Sequence, residues 1–469
     1  MCQTNDYDEE EDGKDLHIAP MLDVTTVDFR QLMRILSRRA ILWTEMVVDE
    51  TIVYTDPANL DFHLSFPIEQ KPIVCQLGGN RPHLSKTATR ILTTTTTTTN
   101  CGNEMEKKYD YDEINLNCEC PSNRVCGKKS FGAALMKNSE LACQMIQAIQ
   151  SETSLKVSVK TRIGVDDWDD LPFLIQYIDS FVNVGCTKFY IHARKVYTHG
   201  LSPAQNRNIP PLNYHRVYQL CHTFPNCHFI INGGISTLYQ AKQLVLPINN
   251  RKEEYGEGDD VTKQHGVPCD ICKEPYGSCI APPSSSDTPK NLVGVMLGRA
   301  AMNNPCMFWD VDRYFYNQPQ NPCQNRRQVL HQYVTYLNNS YPRQCPFNCT
   351  VCQTNNNHCE KTTQTDNSSN TNKSVLDNNQ KTSKKKQQKD EQLGIQIHSS
   401  TIDRALRPIM GIMHNLRGSK KFRRTLDQLS RDSTIRNCGP AYILQKAIEI
   451  SIPDQILDQA FIKTEELEK

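Results

Sequence analysis

Residues 113–136 read EINLNCECPSNRVCGKKSFGAALM. The stretch opens as a short apolar strand in which Ile114 and Leu116 alternate with polar partners. It breaks at Cys120-Pro121-Ser122, crosses a basic, Gly-containing loop and enters a helix near Phe131, whose small residues Gly132, Ala133 and Ala134 permit close packing. A cysteine at a strand end, followed by a proline that stops the ladder, sits where parallel α/β proteins place their chemistry. The competing reading is a buried structural cysteine, and locally the two are about even, since free Cys is among the most buried residue types.

Working outward, the same pattern recurs. Apolar strands are predicted at 17–21 (HIAPM), 41–46, 73–77 (IVCQL, stopped by Gly78-Gly79), 114–117, 157–160, 188–192 (KFYIH), 228–232 (HFIIN, closed by Gly233-Gly234) and 294–297. Helical spacing falls between most of them, at 28–36, 139–151, 171–184, 214–221 and 236–246. Eight strands alternating with helices argue for a parallel sheet closed as a (β/α)8 TIM barrel, with function at the C-terminal strand ends. An open doubly wound sheet is the alternative. It is disfavoured by the lack of GxGxxG after the first strand.

Low-complexity stretches interrupt this order. The run 93–99 is all threonine and 100–108 is polar, which reads as a disordered insertion. Segments at about 249–291 and 344–399 read as further insertions. A helical region follows the barrel, with apolar spacing at Val329, Leu330, Tyr333, Val334 and Leu337 and further helices at 401–416, 420–430 and 439–451. The predicted organisation is an acidic tail over 1–13, a barrel over 14–310, a helical bundle over 311–455 and a charged tail over 456–469.

With 469 residues a sizeable core is available, and the net charge of +1 announces no global affinity for nucleic acid. Any RNA contact must come from local basic patches. Twenty cysteines in a chain without a secretory signal read as reduced thiols in an intracellular, cytoplasmic protein. No apolar run is long enough to span a membrane. His265, Cys269, Cys272 and Cys279, and Cys345, Cys349, Cys352, His358 and Cys359, have partial zinc-ligand character. Their spacing is irregular, so no metal site is assigned.

The candidate site residues share one placement, at or just after strand ends: Ala19, Pro20 and Met21; Gln76; Cys120; Lys160 and Arg162; His192; Asn232, Gly233 and Gly234; Gly298 and Arg299. Barrel strand ends converge on one mouth. Loops after strands seven and eight often bind phosphate, where glycine lets backbone N–H groups approach an anion and arginine can fork onto it. Singly, Lys160 reads as a solvated strand-end lysine, and His192 is as well read as a core histidine.

The residues NCECPS with Phe131-Gly132-Ala133 resemble the active-site segment of the tRNA-dihydrouridine synthases, the A subfamily above all. The segment HARKVYTHGLSPAQNRNIPPL over 192–212 is the most specific part of the resemblance. It implies FMN as cofactor and NADPH as electron donor. It implies hydride transfer from flavin N5 to uridine C6, with Cys120 giving a proton to C5. A thiol with a pKa near 8.5 can deliver such a proton at neutral pH. The resemblance also implies flavin contacts from Ala19, Pro20, Met21, Gln76, Lys160, His192, Asn232, Gly233, Gly234, Gly298 and Arg299. Asn117, Arg207, Lys420 and Arg423 match tRNA-contacting positions, tRNA being the implied partner of a monomer. The chain departs from the family pattern at Glu119, where Gly is usual, at Ala204 for Lys, and at Lys420 for Arg. Two other readings stay open: a degenerate relative that binds tRNA without catalysis, and a flavin barrel acting on a small molecule.

Overall fold

The computed structural model describes residues 14–97, 105–107, 109–122, 125, 130–245, 288–341 and 399–467. The acidic segment 1–13, the cores of the two long insertions and both cysteine-histidine groups lie outside the described residues.

Eight parallel strands form a TIM barrel: β1 Asp15–Ile18, β2 Leu42–Val48, β3 Ile73–Gly78, β4 Glu113–Asn117, β5 Lys156–Arg162, β6 Lys188–His192, β7 His228–Asn232 and β8 Leu292–Leu297. From β2 to β8 each pairs with the next in chain order, and β8 pairs with β1. The ring closes where Ile18 N–H donates to the Ile41 carbonyl and Ile41 N–H to the Leu16 carbonyl, each at 2.9 Å. Some strands are nearly continuous apolar runs, as in β8 LVGVML, while β4 EINLN and β5 KVSVKTR alternate apolar and polar residues. All six residues of β3 and all five of β4 are buried.

Helices between the strands include α1 Val27–Leu36, α2 Pro82–Thr93, α3 Ser139–Gln150, α4 Leu171–Val182, α5 Tyr214–Thr223 and α6 Leu238–Val245. Side-chain caps set several of their starts. Asn138, Asp170 and Asn213 each accept the N–H three residues on, from Leu141, Phe173 and Arg216. α1 buries Phe29, Leu32, Met33 and Leu36 at helical spacing.

The chain divides into two compact units, residues 1–324 with 460–469, and residues 325–459. The boundary differs from the sequence expectation, because residues 311–324 belong to the barrel unit. Asp312 is buried there and accepts the Ser37 hydroxyl and the backbone N–H of Arg38. The end of the chain also differs from the charged tail expected. Glu465 forms an ion pair with Arg313 at 2.7 Å, and Thr464 N–H donates to buried Asp310 at 2.8 Å. The threonine run is a further correction. Thr95–Thr97 pairs antiparallel with Met105–Lys107, as β-branched side chains favour strand whatever the complexity of their sequence.

The second unit is helical: α7 Arg326–Ser340, α8 Ser399–Leu406, α9 Ser419–Arg431 and α10 Gly439–Ser451. Val329, Leu330, Tyr333, Val334 and Leu337 of α7 are buried, as their spacing predicts. No helix among the described residues is long and apolar enough to cross a membrane.

At the N-terminal end of the barrel, Glu113 accepts from Lys188 Nζ at 2.7 Å and from the Tyr190 hydroxyl at 3.0 Å, all within the wall. Breaking a buried pair by removing one partner costs about 3–5 kcal/mol. Glu113→Ala should therefore lower the Tm by roughly 6–12 °C in a thermal melt. A shift within about 2 °C, on the order of the smallest the same scaling resolves, would deny the pair its structural role.

Candidate active site

The C-terminal rim carries the predicted residues, and register brings them together. Asn117 lies beside Lys160, Arg162 beside His192, and His192 beside Asn232. Lys160 is 1% exposed. Its ammonium donates to Asn232 Oδ1 at 3.2 Å, and Asn232 Nδ2 donates to the Met296 carbonyl at 2.8 Å.

The loop after β4 is held by Asn117. Its Oδ1 accepts the N–H groups of Glu119 at 3.2 Å and Cys120 at 3.1 Å, and its Nδ2 donates to Gln76 Oε1 at 3.0 Å. Gln76 in turn donates to Asn115 Oδ1 at 2.9 Å. Two residues expected to contact ligands are thus also joined to each other beneath the loop. The local sequence separates its two cysteines. Cys118 is fully buried, and burial pushes its thiol up to about 12. Cys120 stands partly exposed at the rim.

Glu119 is the side chain the sequence did not place. Its carboxylate lies 2.6 Å from Lys160 Nζ and 3.5 Å from His192 Nδ1. Burial alone would raise its pKa. The Lys160 charge and the His192 hydrogen bond outweigh burial and hold it far below the ordinary carboxylate range. Burial, reinforced by Arg162, drives His192 down to about 3, so its ring is neutral beside the Glu119 carboxylate. Burial also lowers Lys160, and Glu119 opposes that loss of charge. Cys120 is raised, chiefly by burial and further by Glu119, against the lowering influence of the Ser122 N–H, Arg162 and Arg207.

Arg162, a candidate from its place at a strand end, is given no ligand contact by the resemblance. It is 2% exposed and donates to the Lys195 carbonyl at 3.1 Å and the Asn206 carbonyl at 2.9 Å. The signal was available, since residues 158, 160 and 162 share one face of a strand.

The loops after β7 and β8 complete the rim. Gly233 and Gly234 have φ of +116° and +69°, and a Cβ on them would meet His192 and Leu212 at 2.7 and 2.3 Å. Only glycine fits both the space and the backbone there. Arg299 is exposed, with Nη1 on Asn208 Oδ1 at 2.7 Å and Nη2 on the Arg207 carbonyl at 3.3 Å. Ala19 is buried, Pro20 and Met21 partly so, and Met21 Sδ lies 3.7 Å from a Cβ built on Gly298. Lys420 and Arg423 are on α9 of the second unit, exposed together with Lys421 and Arg424. Among the described residues, no group of three or more His, Cys, Asp or Glu could hold a metal ion.

A thiol, a buried lysine, a neutral histidine and an arginine thus meet at the C-terminal mouth of an eight-stranded barrel, the end where barrel enzymes place their chemistry. The family model described as dihydrouridine synthase matches residues 17–247. The chain is 34% identical over 322 residues to the tRNA-dihydrouridine(20/20a) synthase of Synechocystis, which covers 69% of this chain and 78% of that protein. It is 38% identical over 280 residues to the enzyme of that name from Escherichia coli, covering 60% and 76%, and 43% identical over 226 residues to the one from Pasteurella multocida, covering 48% and 63%. The chain belongs to the dihydrouridine synthase family.

A raised thiol pKa makes thiolate scarce below the ordinary value near 8.5. Alkylation of Cys120 by iodoacetamide, followed by peptide mass mapping, should be slow at about pH 7 and climb only well above about pH 8.5. Fast labelling at neutral pH would mean that Cys120 is a thiolate and no acid.

Proposed function

We propose that this chain is an FMN-dependent, NADPH-using tRNA-dihydrouridine synthase that reduces the C5–C6 bond of D-loop uridines, at about position 20/20a as in the names of its relatives. The observation that carries the reading is the meeting of Cys120, Lys160, His192 and the Gly233-Gly234 turn at one barrel mouth.

The donor set fits a flavin mononucleotide. Lys160 is a buried cation whose present counter-ion is a rotatable side chain, so it can accept another anion. It would hold the N1 and C2=O edge of the ring, where a positive charge stabilises the reduced form. Gln76 would meet the pyrimidine edge. Asn232, Gly233, Gly234, Gly298 and Arg299 would hold the phosphate, His192 would contact the flavin, and Ala19, Pro20 and Met21 would line the cleft. The bound flavin, once reduced by NADPH, supplies the hydride for uridine C6.

The chain's own task is the proton. As C6 gains hydride, C5 acquires enolate character and needs an acid. Cys120, kept protonated by its burial and by Glu119, delivers the Sγ proton to C5. The target base must leave its stack to reach a barrel mouth. Exposed Lys420 and Arg423, with Arg207 near the mouth, offer phosphate contacts. One observation favours the other reading, a tRNA binder without catalysis. Glu119 already engages the cation a flavin would need.

The test is an absorbance spectrum of the purified protein, then NADPH, then unmodified tRNA. Flavin bands should bleach with NADPH and recover with tRNA. A colourless protein that takes up no FMN yet binds tRNA would sink the enzyme reading. Cys120→Ala should cut dihydrouridine formation, counted by nucleoside mass spectrometry, by about 10²-fold or more, with FMN retained. Undiminished turnover would assign the proton to another group. Lys420→Ala with Arg423→Ala should weaken tRNA binding and flatten its salt dependence by roughly one unit of slope for each phosphate no longer neutralised. An unchanged slope would remove α9 from the RNA surface.

A further inference from the structure

The loop after β4 sets a carboxylate against the buried lysine of the mouth. Glu119 Oε2 lies 2.6 Å from Lys160 Nζ and 3.5 Å from His192 Nδ1. The carboxylate also faces the positive field of Arg162 on the same strand as Lys160 and of Arg207 on the loop after β6. An isolated ammonium at 1% exposure is too costly to bury without an anion beside it. Asn232 offers Lys160 only a neutral acceptor at 3.2 Å. Glu119 is therefore what neutralises the floor of the mouth in this chain.

The backbone and side chain of Glu119 are differently constrained. Its N–H is held by Asn117 Oδ1 at 3.2 Å, which fixes the loop. Its side chain has several rotatable bonds and is the less buried partner, at 18% exposure against 1% for Lys160. Part of the Glu119 side chain reaches the surface, and almost none of Lys160 does.

We infer that Glu119 is a resident counter-ion for Lys160 that a flavin must displace, so that it sets the affinity of the mouth for its anionic ligand. The inference rests on the flavin reading given above. In the flavin-free protein the pair stabilises the fold. On binding, the carboxylate leaves Lys160 and turns outward, and the lost pair is subtracted from the binding free energy. A side chain with a merely structural role would act in one direction only. Its removal would destabilise the protein and loosen the ligand together. A displaced counter-ion acts in opposite directions on the two.

The experiment compares the full-length wild-type chain with Glu119→Gln and Glu119→Gly. FMN affinity is read by quenching of flavin fluorescence, and melting temperature is read with and without FMN. Both variants should melt below wild type when flavin-free, bind FMN at least tenfold more tightly, and show a larger FMN-induced rise in Tm. The Gln variant keeps the size and loses the charge, so it separates the counter-ion from the space it fills. FMN binding by wild type as tight as that of both variants, or tighter, would overturn the inference and leave the flavin reading standing. No FMN binding by any of the three proteins would overturn both.

Discussion

The site depends on closure of the sheet. Two backbone hydrogen bonds between the first strand and Ile41 convert eight twisted strands into a ring. In an open sheet the twist would fan the strand ends apart. Closed, the ends share one rim, and neighbouring strands bring Asn117, Lys160, Arg162, His192 and Asn232 side by side. Asn117 and Cys120 are close in the chain, but the partners of their loop come from β5 and β6, which start only at Lys156 and Lys188. Local propensity makes each strand, and only the ring makes the constellation.

The barrel carries charge at both ends, and the two ends differ in how the charge is used. At the strand starts Glu113, Lys188, Ser158 and Tyr190 satisfy one another inside the wall. At the strand ends Glu119, Lys160, His192 and Arg162 adjoin a partly exposed thiol and two exposed arginines, Arg207 and Arg299. Trp43, Val74, Ile230 and Met296 belong to a shared apolar cluster of the barrel. A network satisfied within the wall contributes to stability. One that opens onto solvent beside a titratable sulfur is arranged to meet a ligand.

How much of this is legible in the sequence varies with the range of the interaction. The strands are legible because a buried parallel strand is a short apolar run ended by Gly, Pro or Asn, as in HFIIN followed by Gly233-Gly234. The loop after β4 is legible from the cysteine, proline and glycine at its turns. The threonine run misleads because low complexity masks β-propensity. The domain boundary misleads because residues 311–324 do not themselves say which core they join. Asp312 settles that by reaching Ser37 and Arg38, 275 and 274 positions away. Glu119 stands out in the sequence as a departure, but its partners cannot be named there, since Lys160 and His192 reach it only through strand pairing.

That pairing couples the thiol at the rim to the buried cation. Glu119 supports the charge on Lys160, lies 3.5 Å from Nδ1 of neutral His192, and raises the Cys120 thiol. Any movement of the carboxylate therefore acts on all of them. Drawn away from Lys160 towards solvent, it leaves the ammonium to whatever anion is nearest. It also relieves the thiol of part of its upward pressure, while burial, the larger cause, stays. The sulfur then keeps its proton at neutral pH but holds it less tightly. A group that must give up a proton in a transition state is better served by that than by a pKa far above the working pH. One carboxylate in the loop thus ties readiness to donate to occupation of the lysine.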